Sequence, residues 1–268
     1  MEEKSKLPLI TLTTDFGSKD GFVGIMKGVM LTICPTVQIV DISHEILPHD
    51  IRSAAFVIAQ SYAYFPENTL HVVIVDPGVG GDRPILYVEA GTYRFLVPDN
   101  GVLQYILQWE KLSRVIQVTN PDFFLPEQSH TFQGRDIFAP VAAHLAGGLA
   151  PARLGEVVND FQISLPPQPV VTDGGTNGEI IYIDHFGNLI SNITREYLHE
   201  VQKKKKPYRV LLADEKISEI SPTFSDKPFG NLLAYVDSSN YLAVAIAGQN
   251  AAQKLGVAVG DRIELRLE

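Results

Sequence analysis

Five polar residues have side chains suited to chemistry and fall where the chain is expected to turn: Asp15, Asp76, Arg83, His130 and Gln133. The densest stretch is Val75-Asp76-Pro77-Gly78-Val79-Gly80-Gly81-Asp82-Arg83. Asp76 would sit at the C-terminal mouth of the strand before it, where open α/β sheets bind their ligands. Pro77 holds the Asp76 backbone extended, and the three glycines let the loop fold back so that Arg83 returns toward the same place. A plain glycine-rich turn with a surface Asp–Arg pair fits this stretch equally well. Spacing alone does not bring the five residues together.

Other chemistries fail on specific positions. A dinucleotide fingerprint would require glycine where Arg83 stands, and the chain has no G-x-x-x-x-G-K-[ST] loop. His44-Glu45 followed by His49 is one residue too long for H-E-x-x-H, and Pro48 would break the helix that motif requires, so no metal site is expected. His71 and His144 read as structural histidines. There is no G-x-S-x-G elbow, and Cys34 lacks the glycine context of cysteine nucleophiles.

The elements that must position these residues follow from periodicity. Leu9 to Asp15 reads as a first strand, Gly21 to Ile33 as a helix, Val37 to Asp41 as a strand, Asp50 to Phe65 as helical and Thr69 to Val75 as a strand. Asp15 and Asp76 then close two strands of a layered α/β domain with a parallel core, and such sheets bind ligands at that edge. Ile85 to Glu89 and Tyr93 to Val97 form a hairpin, Pro98-Asp99-Asn100-Gly101 leads into a helix to about Glu110, and Arg114 to Val118 is a strand. His130 to Asp136 is loop-like, followed by an Ala-rich helix from about Phe138 to Leu145.

Leu165-Pro166-Pro167-Gln168-Pro169 and Gly174-Gly175 have the composition of a linker. The reading is an N-terminal α/β domain over 1–165, a linker over 166–176, and a small C-terminal β-barrel over 177–268. Its strands are expected at Glu179–Ile183, Tyr208–Leu212, Leu232–Val236, Tyr241–Ile246 and Arg262–Leu267.

A net charge of −9 argues against a nucleic-acid scaffold and against docking on anionic membrane, and favours a small or cationic ligand. The basic run from Lys203 to Lys206 reads as a solvated turn. One cysteine excludes an internal disulfide, and no apolar run is long enough to span a bilayer, so a cytoplasmic protein is expected.

Thr13-Thr14-Asp15-Phe16-Gly17, Val75-Asp76-Pro77-Gly78-Val79-Gly80, Pro98-Asp99-Asn100-Gly101, Thr131-Phe132-Gln133-Gly134-Arg135-Asp136 and Asp184-His185-Phe186-Gly187-Asn188 occur in that order. Together they resemble the S-adenosyl-L-methionine hydroxide adenosyltransferases, relatives of the fluorinating and chlorinating adenosyl enzymes. The resemblance implies hydrolysis of S-adenosyl-L-methionine at ribose C5′ to adenosine and L-methionine, without a cofactor. It also implies a homotrimer whose sites join the N-domain of one subunit to the C-domain of the next.

The family's catalytic Asp and Arg fall on Asp76 and Arg83, where Asp76 would accept the water's proton. Where the family reads T-F-H-G-R-D this chain has Gln133 in place of histidine, and His130 is a candidate substitute. Glutamine can orient water but cannot take up a proton near neutral pH. By the same resemblance, Asp15 would bind the ribose hydroxyls, and Phe186, Asn188 and Phe224 adenine or ribose. Asp184 would take the methionine ammonium and Ser238 its carboxylate, with Asn250 a further contact. The halogenating branch has tyrosine at the position of Asp76, and a carboxylate there favours water over halide. The alternatives are a halide-dependent adenosyltransferase and a non-catalytic sensor of adenosyl ligands.

Overall fold

The computed structural model describes residues 7–268. The chain divides into two compact units, one ending at Leu165 and one running from Pro166 to Glu268. In the first, β1 (Leu9–Thr14), α1 (Phe22–Ile33), β2 (Gln38–Ser43), α2 (Ile51–Ser61) and β3 (Leu70–Ile74) alternate. Then follow β4 (Ile85–Ala90), β5 (Tyr93–Pro98), α3 (Ile106–Trp109), β6 (Leu112–Gln117) and α4 (Ala139–Ala146). They build one sheet in the order β2-β1-β3-β5-β4-β6. β1 is parallel to β2 and β3, and β3 to β5, whereas β4 is antiparallel to both neighbours. The expected α/β layering with a mainly parallel core is thus present, and the antiparallel step comes from the β4–β5 hairpin.

Alternation along β1 sorts side chains onto two faces. Ile10 and Leu12 join Val23, Met26 and Met30 of α1 and Val141, Ala142 and Leu145 of α4 in one core. Phe138 is fully buried there, worth roughly 1.5–3 kcal/mol by area alone. On the opposite face the Thr11 hydroxyl meets His71 Nδ1 at 2.7 Å, and the His71 ring stacks on Phe95 at 5.2 Å. Burial, helped by the Arg94 charge, lowers the His71 pKa to about 3, which makes it a neutral core histidine. Cys34 is buried at the end of α1 and carries a free thiol.

Two stretches differ from the sequence expectation for local reasons. After β5 only Ile106–Trp109 is α-helical. Asn100 ties down the start of that segment, its Nδ2 donating to Val75 O at 2.9 Å and its Oδ1 accepting from Val102 N–H, and Gly101 adopts φ +81° against Ser164. Gly134–Phe138, expected mostly as loop, forms a π-helical turn that runs into α4.

The second unit comprises β7 (Val170–Thr172), β8 (Gly175–Ile183), β9 (Leu189–Thr194), α5 (Arg195–Lys203), β10 (Tyr208–Leu212) and β11 (Glu215–Ile217). β12 (Leu232–Val236), β13 (Tyr241–Ile246), α6 (Ala251–Leu255) and β14 (Arg262–Leu267) complete it. The sheet runs β11-β10-β14-β8-β9-β13-β12, antiparallel throughout, with β7 paired to β8. A bridge between Ile220 and Ala234 brings its two ends almost together, giving a nearly closed barrel. Leu198 and Val201 of α5 and Ala251 of α6 bury into its core. Residues 166–176, read from composition as a linker, contain β7 and the start of β8. β7 pairs through its backbone while Val170 and Val171 stay exposed, so its composition carries no burial signal.

Candidate active site

β1 and β3 are neighbouring parallel strands, with Thr14 opposite Ile74, and the chain leaves this pair toward β2 on one side and β5 on the other. Such a reversal opens a crevice at the strands' C-terminal ends. Asp15 and Asp76 stand there, on the wall of a cavity of about 480 Å³. The apolar wall is Phe16, Phe22, Phe132 and Phe138, and the polar groups include His49, Thr131 and Gln133.

The Asp76 loop folds back as its glycines allow. Gly78 N–H donates to Asp76 Oδ1 at 3.2 Å and Gly81 N–H to Gly78 O at 3.0 Å. Arg83 thereby reaches Asp76, its Nε donating to Oδ2 at 2.7 Å and its Nη2 to the same oxygen. Arg83 Nη2 also donates to Gln133 Oε1. The Asp76 and Arg83 side chains are only 4% and 13% exposed, so the pair lies out of bulk solvent. Asn100, through Val75 O, fixes the backbone immediately before Asp76.

Gln133 is presented by the loop before the π turn. Asp136, fully buried, anchors that loop by accepting from Ser129 N–H at 2.7 Å and from Arg135 Nε at 2.6 Å. Burial works to raise the Asp136 carboxyl, but the Arg135 and Ser129 hydrogen bonds outweigh it and hold the pKa below the usual carboxylate value. The loop packs on the Asp76 loop at Gly80, which has φ +80° and where a Cβ would lie 2.4 Å from His130 O. His130 itself is exposed and does not line the cavity. Because the Gln133 amide oxygen faces Arg83, what this residue offers a molecule in the cavity is its NH₂ donor.

Asp15 is held by the β2–α2 connection, whose His49 N–H donates to Asp15 Oδ2 at 2.9 Å. The turn after β1 is fixed from the same side: Gly17 N–H donates to His44 O, and Thr14 Oγ1 lies 2.9 Å from His44 Nδ1. His44 Nε2 sits 3.0 Å from Asp41, which Lys27 also pairs. Partial burial pushes Asp41 up, but Lys27 and His44 prevail and its pKa is lowered. His49, weighed from sequence only as a metal ligand, lines the cavity, as do Phe22 and Phe138, which the sequence did not mark. Its signals are a histidine directly before the α2 cap Asp50 and, in the structure, a φ of +68°.

In the barrel unit Asp184 builds the turn that displays Phe186. Asp184 Oδ1 accepts from Phe186 N–H at 2.9 Å and Asn188 N–H at 2.8 Å, and Oδ2 from Asn188 Nδ2 at 2.7 Å. Phe186 is 73% exposed at the tip. Asn250 packs on Gly187, and its Oδ1 caps α6 by accepting from Gln253 N–H. Phe224 is half-exposed, 4.7 Å from the Tyr235 ring. Ser238 is exposed on the β12–β13 turn, next to Asp237. Burial first, then the charge of Asp184, raises the Asp237 carboxyl, and burial with both carboxylates raises the Tyr235 phenol. This corner suits a cation.

Among the described residues no cluster of three His, Cys, Asp or Glu side chains could hold a metal ion, and no helix is long and apolar enough to cross a membrane.

Comparison with known proteins gives one consistent result. Residues 10–155 match the SAM hydroxide adenosyltransferase N-terminal domain and residues 178–264 its C-terminal domain. The (R)-S-adenosyl-L-methionine hydrolase of Salinispora arenicola is 38% identical over 262 residues, covering 96% of this chain and 97% of the relative. A fluorinase from an Actinoplanes species is 30% identical, covering 91% and 92%. The crystal structure of an uncharacterized conserved protein from Thermotoga maritima superposes with a TM-score of 0.89 at 34% identity, covering 96% and 99%.

Proposed function

The chain belongs to the S-adenosyl-L-methionine hydroxide adenosyltransferase family, and from that membership we propose the reaction it carries out and the residues that do it. It is an S-adenosyl-L-methionine hydrolase: water attacks ribose C5′, and adenosine and L-methionine are the products. The observation that carries this reading is that Asp76 and Gln133 line the crevice cavity and are tied to each other by Arg83, which bonds both. The Salinispora relative is named for the (R) epimer, and we assign the same epimer here.

The chemistry suits these groups. A sulfonium is already an activated leaving group, since the C5′–S electron pair returns to sulfur and neutral methionine departs. Bulk water has a pKa of about 15.7, so the difficult part is giving it hydroxide character opposite the sulfur. Arg83 supplies positive charge near the water oxygen, Asp76 holds Arg83 and accepts a hydrogen bond from the water, and the Gln133 amide donates to the oxygen. Asp15 holds the ribose hydroxyls.

Phe186, Asn188 and Phe224 bind the nucleoside, Asp184 the methionine ammonium, Ser238 its carboxylate, and Asn250 is a further contact. In the proposed homotrimer these barrel residues complete the cavity of another copy. Exposure of Phe22 on the cavity wall and of Phe186 and Phe224 on the barrel supports such a partner. S-adenosyl-L-methionine is the substrate, no cofactor is assigned, and the single free cysteine supports a reducing cytoplasm.

Incubation of the pure protein with S-adenosyl-L-methionine, with and without chloride, followed by chromatography of the nucleosides, tests the reading. Adenosine in equal amount under both conditions is expected. A 5′-chloro nucleoside would point to halide transfer, and binding without any nucleoside product would point to a sensor.

A further inference from the structure

Hydrolysis releases one proton for each water consumed, and the cavity offers few places for it. By family resemblance Asp76 was expected to take it. The structure argues against that, because Arg83 holds Asp76 Oδ2 through two nitrogens and Gly78 N–H holds Oδ1. Protonating Asp76 would remove the counter-charge from a guanidinium that is itself nearly buried. Gln133 has no basic atom, and His130 is not on the cavity wall.

One imidazole does line the cavity, that of His49. We propose that His49 is the proton-accepting catalytic residue of this chain, standing in for the histidine that Gln133 replaces. The inference rests on the hydrolase reading above.

Three observations beyond its place in the cavity carry it. His49 is held beside Asp15 by its own backbone N–H, which keeps the residue at the end of the cavity proposed to bind ribose, the end toward C5′. Its φ of +68° is a conformation that few non-glycine residues adopt, and such strain concentrates at functional sites. Its side chain is exposed, so a proton taken from the cavity can pass on to solvent.

The charged groups around it come from several elements. Asp15 from the end of β1 and Asp76 from the end of β3 share its cavity, and Asp50 follows it in the chain. Against these stand Arg83, already paired with Asp76, and His44 on the same connection. In the step itself the water O–H bond breaks and its proton goes to a ring nitrogen of His49. The oxygen bonds to C5′, and the C5′–S pair stays on sulfur. The imidazolium then loses its proton to solvent.

The test uses His49→Asn and His49→Gly, both compatible with a positive φ, with melting temperatures checked against the wild type. Wild-type kcat is expected to rise from acid toward neutral pH, since a base that accepts a proton must be unprotonated. Both variants should lose about 10²-fold or more of kcat and lose that rise. Their dissociation constants for S-adenosyl-L-methionine should stay within about threefold, since a tenfold change would mark a binding role. Added imidazole should restore part of the His49→Gly activity. A folded His49→Asn protein that keeps its kcat and pH profile while the wild type is active would overturn the assignment of His49 alone. A wild type that forms no adenosine would instead sink the hydrolase reading beneath it.

Discussion

Arg83 closes on Asp76 from seven residues away, with Nε donating to Asp76 Oδ2 at 2.7 Å and Nη2 reaching both that oxygen and Gln133 Oε1. One guanidinium therefore ties together the ends of two loops, the one after β3 and the one before the π turn. The Asp76 side chain is almost inaccessible, so this ion pair acts in a setting where charge is screened far less than at the surface. The pair gives the crevice a positive group whose position is fixed before any substrate arrives.

Substitutions in the pair should therefore strike turnover. Asp76→Asn and Arg83→Ala are expected to lower kcat by about 10²–10³-fold, the loss typical of removing a preorganised charged group, while changing substrate affinity only several-fold. Arg83→Lys should recover little, since an ammonium cannot reach Asp76 and Gln133 with the same fork. Steady-state kinetics with calorimetric binding separates the two effects, and equal losses in kcat and affinity would contradict the division of roles.

Asp15→Ala should act on binding. A charge-assisted hydrogen bond contributes about 1.5–3 kcal/mol, which corresponds to roughly 10–150-fold in the dissociation constant for adenosine. 2′,3′-Dideoxyadenosine should then bind the wild type and Asp15→Ala with similar affinity. Discrimination that survives in the variant would place the ribose contact elsewhere.

Gly80→Ala tests the contact between the two loops. The added Cβ meets His130 O at 2.4 Å and must sit at φ +80°, so one or both loops have to move. A loss of about 1–3 kcal/mol in urea unfolding is expected, with a fall in kcat that exceeds any change in affinity. Unaltered kinetics would mean that the packing of these loops does not set the Arg83 geometry.

His71 predicts a pH dependence of stability. Burial and then Arg94 lower its pKa to about 3 in the fold, against about 6.5 for an unfolded histidine. Between those values the unfolded chain binds the proton and the folded chain does not, so this stabilisation is intact above about pH 6.5 and is lost progressively as pH falls toward 3. Moving from pH 7 to pH 4.5 should cost roughly 2–3 kcal/mol through this residue. His71→Phe, which matches the aromatic surroundings of Phe65, Tyr93 and Phe95, should flatten that part of the profile in urea titrations.

Much of this architecture was legible because it rests on local chemistry. The apolar runs of β1 and β3 end at Asp15 and Asp76, and short runs set off by turn residues mark β10, β12, β13 and β14 with the bounds observed. α5 was missed although it is strongly amphipathic, with Leu198 and Val201 on its buried face, because the segment is mostly polar and runs into the basic stretch at Lys203. The shortened helix after Gly101 depends on the long-range Asn100 to Val75 contact. His49 was weighed only as a metal ligand, because its place in the cavity is set by a positive φ and by a hydrogen bond to Asp15, 34 residues earlier, which local spacing does not show.

The route of the oxygen tests the central claim most directly. Turnover of S-adenosyl-L-methionine in ¹⁸O-labelled water, with both products analysed by mass spectrometry, should give adenosine carrying one heavy oxygen at its 5′-hydroxyl and methionine carrying none. Unlabelled adenosine, or label in the amino-acid product, would show that water does not attack C5′ and would contradict the account.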